Sequence, residues 1–177
     1  MEQRTKIFVA GSRRLSRLST HVLRRIDDML INGCTLLVSD ANGVDKAVQR
    51  YLHTHQYRDV VIYCLQARWR LNLGNWPVKS IEPLDSPQNG FVYLCAKDLA
   101  MARDCDYGLM VWDGRSPETL ANILDLIKQA KPVLVYIAKA KRFFALWSFD
   151  DLSEMLGAVA SPVQRSVETE FCDVVLA

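Results

Sequence analysis

The chain has 177 residues, the length of one typical domain, so we expect a single domain rather than a multidomain protein. Half of the residues are hydrophobic and 24% are charged, with 8 glycines and 6 prolines, a composition that excludes the disordered and fibrous classes. The 22 lysines and arginines exceed the 20 acids by only two charges, which argues against general attraction to nucleic acid or membranes.

The two ends of the chain carry opposite charge. Residues 1–25 hold seven basic side chains and one acid, Glu2. Residues 150–177 hold six acids and one base, Arg165. The basic end is able to receive an anion, although a solvated helix face explains each of its arginines about equally well.

The five cysteines indicate a reducing compartment. Their number is odd and no pair has C-x-x-C spacing, so free thiols in the core are favoured over disulfides or zinc ligands. No run approaches the ~20 apolar residues that cross a bilayer, and the first residues are charged where a signal peptide is apolar. We therefore expect a cytoplasmic protein with no membrane partner.

Short apolar runs rich in β-branched residues alternate with longer segments of helical period. The runs cover residues 6–10, 35–39, 60–65, 108–112 and 132–137. Each run is short, apolar and bounded by polar or turn residues, as buried strands are. The alternation predicts a Rossmann-like, doubly wound α/β fold, in which a mainly parallel sheet of five strands has helices on both faces.

Four helices are predicted between these strands. Apolar residues recur at helical spacing in residues 18–30, 44–51, 91–105 and 117–130. The start of the last helix is the best marked. Ser116 can accept hydrogen bonds from first-turn amides, Pro117 needs no amide at the first helical position, and Glu118 faces the positive end of the helix dipole.

Residues 66–90 have no clear period and include Trp69 and Trp76. A connection of this length is usually a binding lid or disordered, and two tryptophans argue against disorder. Beyond the fifth strand we predict a short helix capped by Ser148 and an edge strand at residues 167–175. The expected organisation is a Rossmann-like domain at residues 1–138, on which residues 139–177 pack as a C-terminal extension.

The first candidate site residues follow the first strand, because ligands of open parallel sheets bind at the carboxyl ends of the strands. Gly11, Ser12 and Arg13 supply a flexible backbone, a hydroxyl and a guanidinium just before a helix, a combination that suits a phosphate. A tight exit from the sheet explains the same residues about equally well.

The second strand is followed by another polar turn. Gly43 permits the turn, and Asp40 or Asn42 is expected to cap the next helix. Asp45 falls in the first helical turn, where a structural role is favoured over the binding of a ribose hydroxyl.

The fourth strand ends in the strongest candidate site. Asp113, Gly114, Arg115 and Ser116 would bring a carboxylate, backbone amides and a guanidinium next to the first loop. The alternative is that residues 113–114 form a plain turn and Ser116 only a cap, which explains every residue except Arg115.

No metal and no cofactor are inferred. His53 and His55 are two residues apart, so on a helix they face different directions, and His21 has no metal-binding partner nearby in sequence. Residues 68–70 (RWR) would suit base stacking and phosphate contact, although packing is the commoner role of tryptophan. The chain has no Walker A, G-x-G-x-x-G or G-x-S-x-G motif.

Taken together, these strand-end residues resemble the SLOG superfamily, Rossmann-like proteins that include DNA-processing protein A and the Lonely Guy phosphoribohydrolases, and among them the small YspA-like branch most. The resemblance is carried by residues 9–13 (VAGSR), 43–45 (GVD), 67–69 (ARW), 97–101 (KDLAM) and 112–116 (WDGRS), followed by Thr119. It implies a pocket for a nucleotide or nucleotide derivative, with the phosphate near residues 11–13 and 114–119. Residues 1–138 would then be a nucleotide-binding domain.

Two positions depart from the phosphoribohydrolase pattern. The late loop of those enzymes reads PGGxGTxxE, and its Glu acts with an Arg of the preceding helix to cleave the bond between base and ribose. Alignment on Thr119 puts Asn122 at the Glu position, and alignment on Met101 puts Lys97 at the Arg position. Because Asn is no general acid or base and Lys lacks bidentate geometry, hydrolysis by that mechanism is not expected.

Three functions are therefore kept open, and the sequence does not decide whether the chain is an enzyme. The first is a sensor or regulatory module for a small-molecule nucleotide or derivative, with ligand-binding residues Gly11, Ser12, Arg13, Gly43, Asp45, Gly114, Arg115, Ser116 and Thr119. The second is an N-glycoside hydrolase or transferase of altered chemistry, with Asp113 and Lys97 as catalytic residues. The third is single-stranded DNA binding through Arg13, Arg14, Arg17 and residues 68–70, which the near-neutral charge weakens. The resemblance also implies a homo-oligomer.

Overall fold

A computed structural model describes residues 4–66, 69–82 and 91–159 of the chain, with the backbone alone at residues 91–94. The edge strand predicted at residues 167–175 lies outside the described residues. The elements in chain order are β1 (Lys6–Gly11), α1 (Thr20–Ile31), β2 (Thr35–Ser39), α2 (Val44–Thr54), β3 (Val60–Leu65), β4 (Val78–Ile81), α3 (Phe91–Asp104), β5 (Tyr107–Trp112), α4 (Pro117–Lys128), β6 (Val133–Ile137), β7 (Arg142–Leu146) and α5 (Phe149–Val159).

The strands form one sheet in the order β4-β3-β2-β1-β5-β6-β7. All neighbouring strands are parallel except β6 and β7. The chain moves outward from β1 through β4 and then returns along α3 to place β5 on the other side of β1. The loops after β1 and β5 therefore leave the sheet in opposite directions, which is the topological switch point where ligands of such sheets bind.

The central strands are buried on both faces, and each face has its own core. Phe8 and Ala10 of β1 point toward the face covered by α3, α4 and α5. Ile7 and Val9 point the other way, toward α1 and α2. Because alternate residues of a strand serve opposite faces, a strand in this position must be apolar at every residue. This is why the five predicted runs are apolar throughout, rather than alternating between apolar and polar residues.

The sheet has seven strands, and the prediction of five was wrong by two edge strands. β4 lies within the segment that was predicted as a long connection and pairs with β3 from Ile62 to Leu65. Its sequence, VKSI, is short and largely exposed, so it lacks the apolar run that identifies a buried strand. β7 begins at Arg142 inside a basic stretch and pairs antiparallel with β6. Edge strands tolerate such charges because one side of the strand has no neighbour to pair with.

Serine side chains cap three of the helices, and two of these caps, Ser116 and Ser148, were predicted. Ser19 and Ser116 accept hydrogen bonds from the amides of Val22 and Thr119. The C-terminal helix begins as predicted, since the amide of Asp151 donates to Ser148 Oγ at 3.2 Å. No helix in the described ranges is long and apolar enough to span a lipid bilayer.

Candidate functional site

A narrow cleft opens at the switch point, between the carboxyl ends of β1 and β2 and the first turns of α2 and α4. The inner part of α3 covers one side of it. The lining residues are Ala10, Gly11, Arg13, Ser39, Ala41, Asp45, Lys97, Asp98, Ser116, Glu118, Thr119 and Asn122. The total volume of the cleft, counted out to open solvent, is about 330 Å³. The centre of a water-sized molecule can occupy only about 20 Å³ of this volume without contacting protein atoms. The interior therefore admits a water or a single hydroxyl group rather than a whole nucleotide.

Ser12 joins the first loop to the fourth-strand loop. Its side chain is fully buried, and its Oγ donates to Asp113 Oδ1 at 2.9 Å. The same Oγ accepts from the amide of Asp113 at 3.0 Å. Thr119 Oγ1 lies 3.5 Å from it. Ser12 thus has its hydrogen bonds within the protein and acts as a tie between two loops.

Asp113 organises the turn that leads into α4. Its Oδ1 accepts from the amides of Arg115 and Ser116, both at 2.9 Å, in addition to Ser12. The amide of Thr119 donates to Ser116 Oγ at 3.3 Å. A carboxylate of the protein therefore lies where the predicted phosphate would meet the amides of Arg115 and Ser116. These hydrogen bonds explain the presence of Asp113, because its carboxylate orders the loop. Its predicted catalytic role stays a prediction.

Two glycines allow the backbone to pass closely at this edge. A Cβ on Gly11 would lie 2.2 Å from the carbonyl oxygen of Val111. Gly43 has a φ of +79°, and a Cβ there would lie 2.4 Å from the Cα of Arg13. Both glycines are therefore required by neighbouring backbone whether or not a ligand binds.

Gly43 is also the N-cap of α2, and no side chain caps that helix. The expected capping by Asp40 or Asn42 is not observed. Asp40 is buried and instead accepts from the amide of Arg70 at 2.9 Å and from its guanidinium at 3.3 Å. The buried Gln49 adds two contacts to the same segment, to the carbonyl of Leu71 at 3.3 Å and from the amide of Leu73 at 3.1 Å. Residues 69–82 are thereby fixed against β2, α2 and β3.

Asp45 is the least satisfied polar group of the cleft. Its residue is only 4% exposed, and its Oδ2 accepts a short hydrogen bond from Ser39 Oγ. Its Oδ1 is buried and has no hydrogen-bond partner. Burial raises the pKa of this carboxyl to about 7, although the Ser39 hydroxyl and the Lys97 ammonium act to lower it. A buried acceptor without a donor is costly, so this oxygen marks a place where a donor can be accommodated.

Lys97 is the buried cation of the cleft and is also only 4% exposed. Its Nζ lies 2.6 Å from Asp98 Oδ1, and Asn122 Nδ2 donates to Asp98 Oδ2 at 3.3 Å. Burial acts to lower the pKa of Lys97, but the charges of Asp98 and Asp45 together raise it above its ordinary value. Lys97 therefore stays charged and balances the acids around it.

The structure brings six of the predicted site residues to one cleft and leaves five outside its lining. Gly11, Arg13, Asp45, Lys97, Ser116 and Thr119 line the cleft, whereas Ser12, Gly43, Asp113, Gly114 and Arg115 do not. Asn122, which the resemblance placed at the altered Glu position, also lines it.

Sequence reasoning missed Ser39 and Asp98 as site residues. Asp98 sits next to Lys97 in a helix that is otherwise apolar from Ala100 to Ala102, and this interruption was the available signal. No group of three or more potential ligands in the described part of the chain could hold a metal ion.

The mouth of the cleft is more exposed than its interior. Arg13 and Glu118 face each other there at 3.9 Å, each with at least a third of its side chain in solvent. Arg115 is exposed nearby on the turn. Trp69, next to the Arg70 that contacts Asp40, is 55% exposed. The carboxyl edge therefore combines an acidic, buried interior with cationic and aromatic groups in solvent.

Comparison with known proteins identifies a structural relative but no family. No protein-family model and no curated protein matches the chain. A solved structure of DNA processing protein A from Helicobacter pylori, described for its single-stranded DNA binding mode, is similar, with a TM-score of 0.55 and 17% identity. The match covers 74% of this chain and 64% of that one. At this identity the likeness shows a Rossmann-like α/β fold, as the SLOG resemblance implies, and leaves the YspA-like branch open.

Proposed function

We propose that the protein binds a nucleotide or a nucleotide-derived ligand at the carboxyl edge of its sheet, as a sensor or regulatory module. The observation that carries this proposal is the unpartnered, buried Oδ1 of Asp45 in a cleft at the topological switch point. Carboxylates at such positions bind ribose hydroxyls in dinucleotide-binding sheets, because each hydroxyl donates one hydrogen bond.

A ligand hydroxyl fits the polar groups of the cleft better than a phosphate does. Asp45 and Asp98 supply acceptors, and a phosphate oxygen beside them would be repelled. Lys97 neutralises only part of this negative charge. The interior also has room for one hydroxyl-sized group, so the sugar edge of the ligand enters the cleft and the remainder lies at its mouth.

The phosphate of such a ligand would meet side chains rather than the turn before α4. Asp113 and Ser116 already bind the amides of Arg115, Ser116 and Thr119. Arg13 and Arg115 are exposed near the mouth, and a guanidinium matches the geometry of a phosphate. This keeps Arg13 in the phosphate-binding role predicted for it and assigns the sugar contact to Asp45, which was already a predicted ligand-binding residue.

The test is a ligand-binding comparison of the full chain with two Asp→Asn variants. Ribose 5-phosphate, adenosine 5′-monophosphate, NAD and ADP-ribose are titrated by calorimetry and thermal shift. We expect at least one to stabilise the wild type, by about 2.7 kcal/mol at 100 times its dissociation constant. At pH 8, where the Asp45 carboxyl is ionised, Asp45→Asn should weaken the binding of that ligand about tenfold or more, because a charged acceptor is lost.

The control is Asp28→Asn, the same change at an exposed position of α1. It should leave affinity unchanged. Equal binding by wild type and Asp45→Asn, or no stabilisation by any ligand of the panel, contradicts the proposal. Mass spectrometry of the incubated ligands separates the sensor from an N-glycoside hydrolase, because only the hydrolase releases free base.

Exposed Trp69 favours single-stranded DNA as a second candidate. A base stacks on an exposed indole, and Arg70, Arg13, Arg14 and Arg17 carry positive charge on exposed side chains around the same edge. The structural relative, DNA processing protein A, is described as binding single-stranded DNA. An oligonucleotide arm of the titration tests this candidate. Trp69→Ala should weaken the affinity for the oligonucleotide about tenfold, and this affinity should decline with added salt.

A further inference from the structure

A second recess lies apart from the cleft, between the first turn of α1 and the turn that joins β6 to β7. Its total volume out to open solvent is about 650 Å³, of which about 290 Å³ is open to the centre of a solvent molecule, against about 20 Å³ in the cleft. Its lining includes Arg17, Ser19, His21, Val111, Tyr136 and Lys141. Val111 and Tyr136 belong to the core that faces α1 and α2, and no residue of the groove lining also lines the cleft. We call this recess the α1 groove.

The α1 groove carries positive charge and no negative charge. None of the residues that line it is an acid. Within the described ranges, no carboxylate lies within 4.0 Å of Arg17 or Lys141. The first turn of α1 also lacks an acid, so the positive end of the helix dipole is not neutralised there. This composition is the reverse of the acidic cleft.

Tyr136 is a second and independent sign that the groove holds a ligand. The residue is only 2% exposed and lines the groove. The centroid of its ring lies 4.9 Å from that of Phe143 and 6.4 Å from that of His21, with which it stacks. No hydrogen bond joins its hydroxyl to any residue that the structure describes. Among the described residues, the buried side-chain oxygen without a partner is Asp45 Oδ1, so the Tyr136 hydroxyl is reached by solvent from the groove. Its hydrogen bond is therefore open to a water or a ligand that enters the groove.

We propose that the α1 groove binds the phosphate group of a phosphomonoester or of free inorganic phosphate. Arg17 and Lys141 supply the charge, and Tyr136 donates its hydroxyl hydrogen to a phosphate oxygen. Thr20 and His21 also line the groove, and their amides precede the first hydrogen bonds of α1, whereas the amide of Val22 donates to Ser19 Oγ. This site is separate from the cleft, and its occupation does not depend on the proposed nucleotide function.

The test titrates inorganic phosphate and a small phosphomonoester, glycerol 3-phosphate, into the full chain at constant ionic strength, followed by calorimetry and phosphorus NMR. Lys141→Gly removes one cation at a residue whose φ is +50°, a conformation that glycine adopts without strain. The fold should therefore be retained while phosphate affinity declines about tenfold. Arg17→Gln should have a similar effect, and Tyr136→Phe a smaller one.

Two controls separate this site from the rest of the surface. Arg24→Gln removes an exposed charge from the same helix and should leave phosphate affinity unchanged. Asp45→Asn alters the cleft and should also have no effect. The proposal is overturned if neither anion binds below about 10 mM, a limit corresponding to less than 3 kcal/mol. It is equally overturned if Arg24→Gln weakens binding as much as Lys141→Gly, or if only an oligonucleotide without terminal phosphates binds at these residues.

Discussion

Two regions meet at the carboxyl edge of the sheet and differ in whether their polar groups have hydrogen-bond partners within the protein. In the turn from Asp113 to Thr119, side-chain oxygens of the protein accept the hydrogen bonds of the loop amides. In the cleft beside it, Asp45 keeps a buried oxygen without a donor. The comparison teaches that a polar motif at a strand end identifies where groups converge. Whether those groups are available to a ligand depends on contacts between distant parts of the chain.

The largest effect on stability is expected from a substitution of Lys97 in the cleft. Lys97→Met removes the cation that balances Asp98, Asp45 and Asp40, and it leaves buried carboxylates without a counter-charge. We expect the free energy of unfolding to decline by about 3–5 kcal/mol in urea denaturation at pH 8.

The matched control is Lys79→Met. Lys79 also pairs with a carboxylate, Asp104, but about half of its side chain is exposed. Exposed pairs contribute little, so the loss should stay below about 1 kcal/mol. Similar losses in the two variants would mean that the cleft charges are solvated, contrary to the burial described above.

The pH dependence of stability sharpens the comparison further. The pKa of Asp45 is raised from 3.8 to about 7 in the folded protein, so the folded state binds more protons than the unfolded state between these values. Stability contributed by the neutral carboxyl is therefore lost as pH rises through this window.

Asp45→Asn cannot ionise and lacks this dependence. Relative to the wild type, the variant should gain about 2–3 kcal/mol of unfolding free energy between pH 5 and pH 8, at about 1.4 kcal/mol per pH unit up to pH 7. Urea denaturation of both proteins at several pH values measures the difference. A difference that stays constant with pH would show that Asp45 has its ordinary pKa and has found a donor.

The sequence predicted the interior of the fold well because buried parallel strands leave a pattern in the chain itself. Strands at 35–39 and 60–65 have the predicted bounds, and the Ser116 cap is where its sequence places it. β4 and β7 were missed because an edge strand needs a hydrogen-bonding neighbour more than it needs an apolar run. Their existence depends on the pairing with β3 and β6, which no local pattern contains.

The candidate site was predictable in location and less so in detail. Asp45 was singled out from its place in a first helical turn, and Lys97 from the resemblance. Their burial in one cleft depends on the return of α3 to the sheet, which brings residues about 50 positions apart together. Asp98 was missed because a charge on a helix is usually in solvent. Its environment is decided by contacts with α4, through Asn122.

The smallest effect on stability is expected from a substitution of Asp113 in the turn. Asp113→Ala removes the acceptor of the Arg115 and Ser116 amides and of Ser12, and the unfolding free energy should decline by about 2 kcal/mol. Asp113→Asn keeps a side-chain oxygen for the two amides, so it should lose less than half as much. Urea denaturation measures both variants, and the ligand titration described for Asp45 is repeated on Asp113→Asn. If Asp113 only orders the turn, Asp113→Asn retains the affinity that Asp45→Asn loses. A large loss of affinity with unchanged stability would instead place Asp113 in direct contact with the ligand and remove the distinction between the two regions.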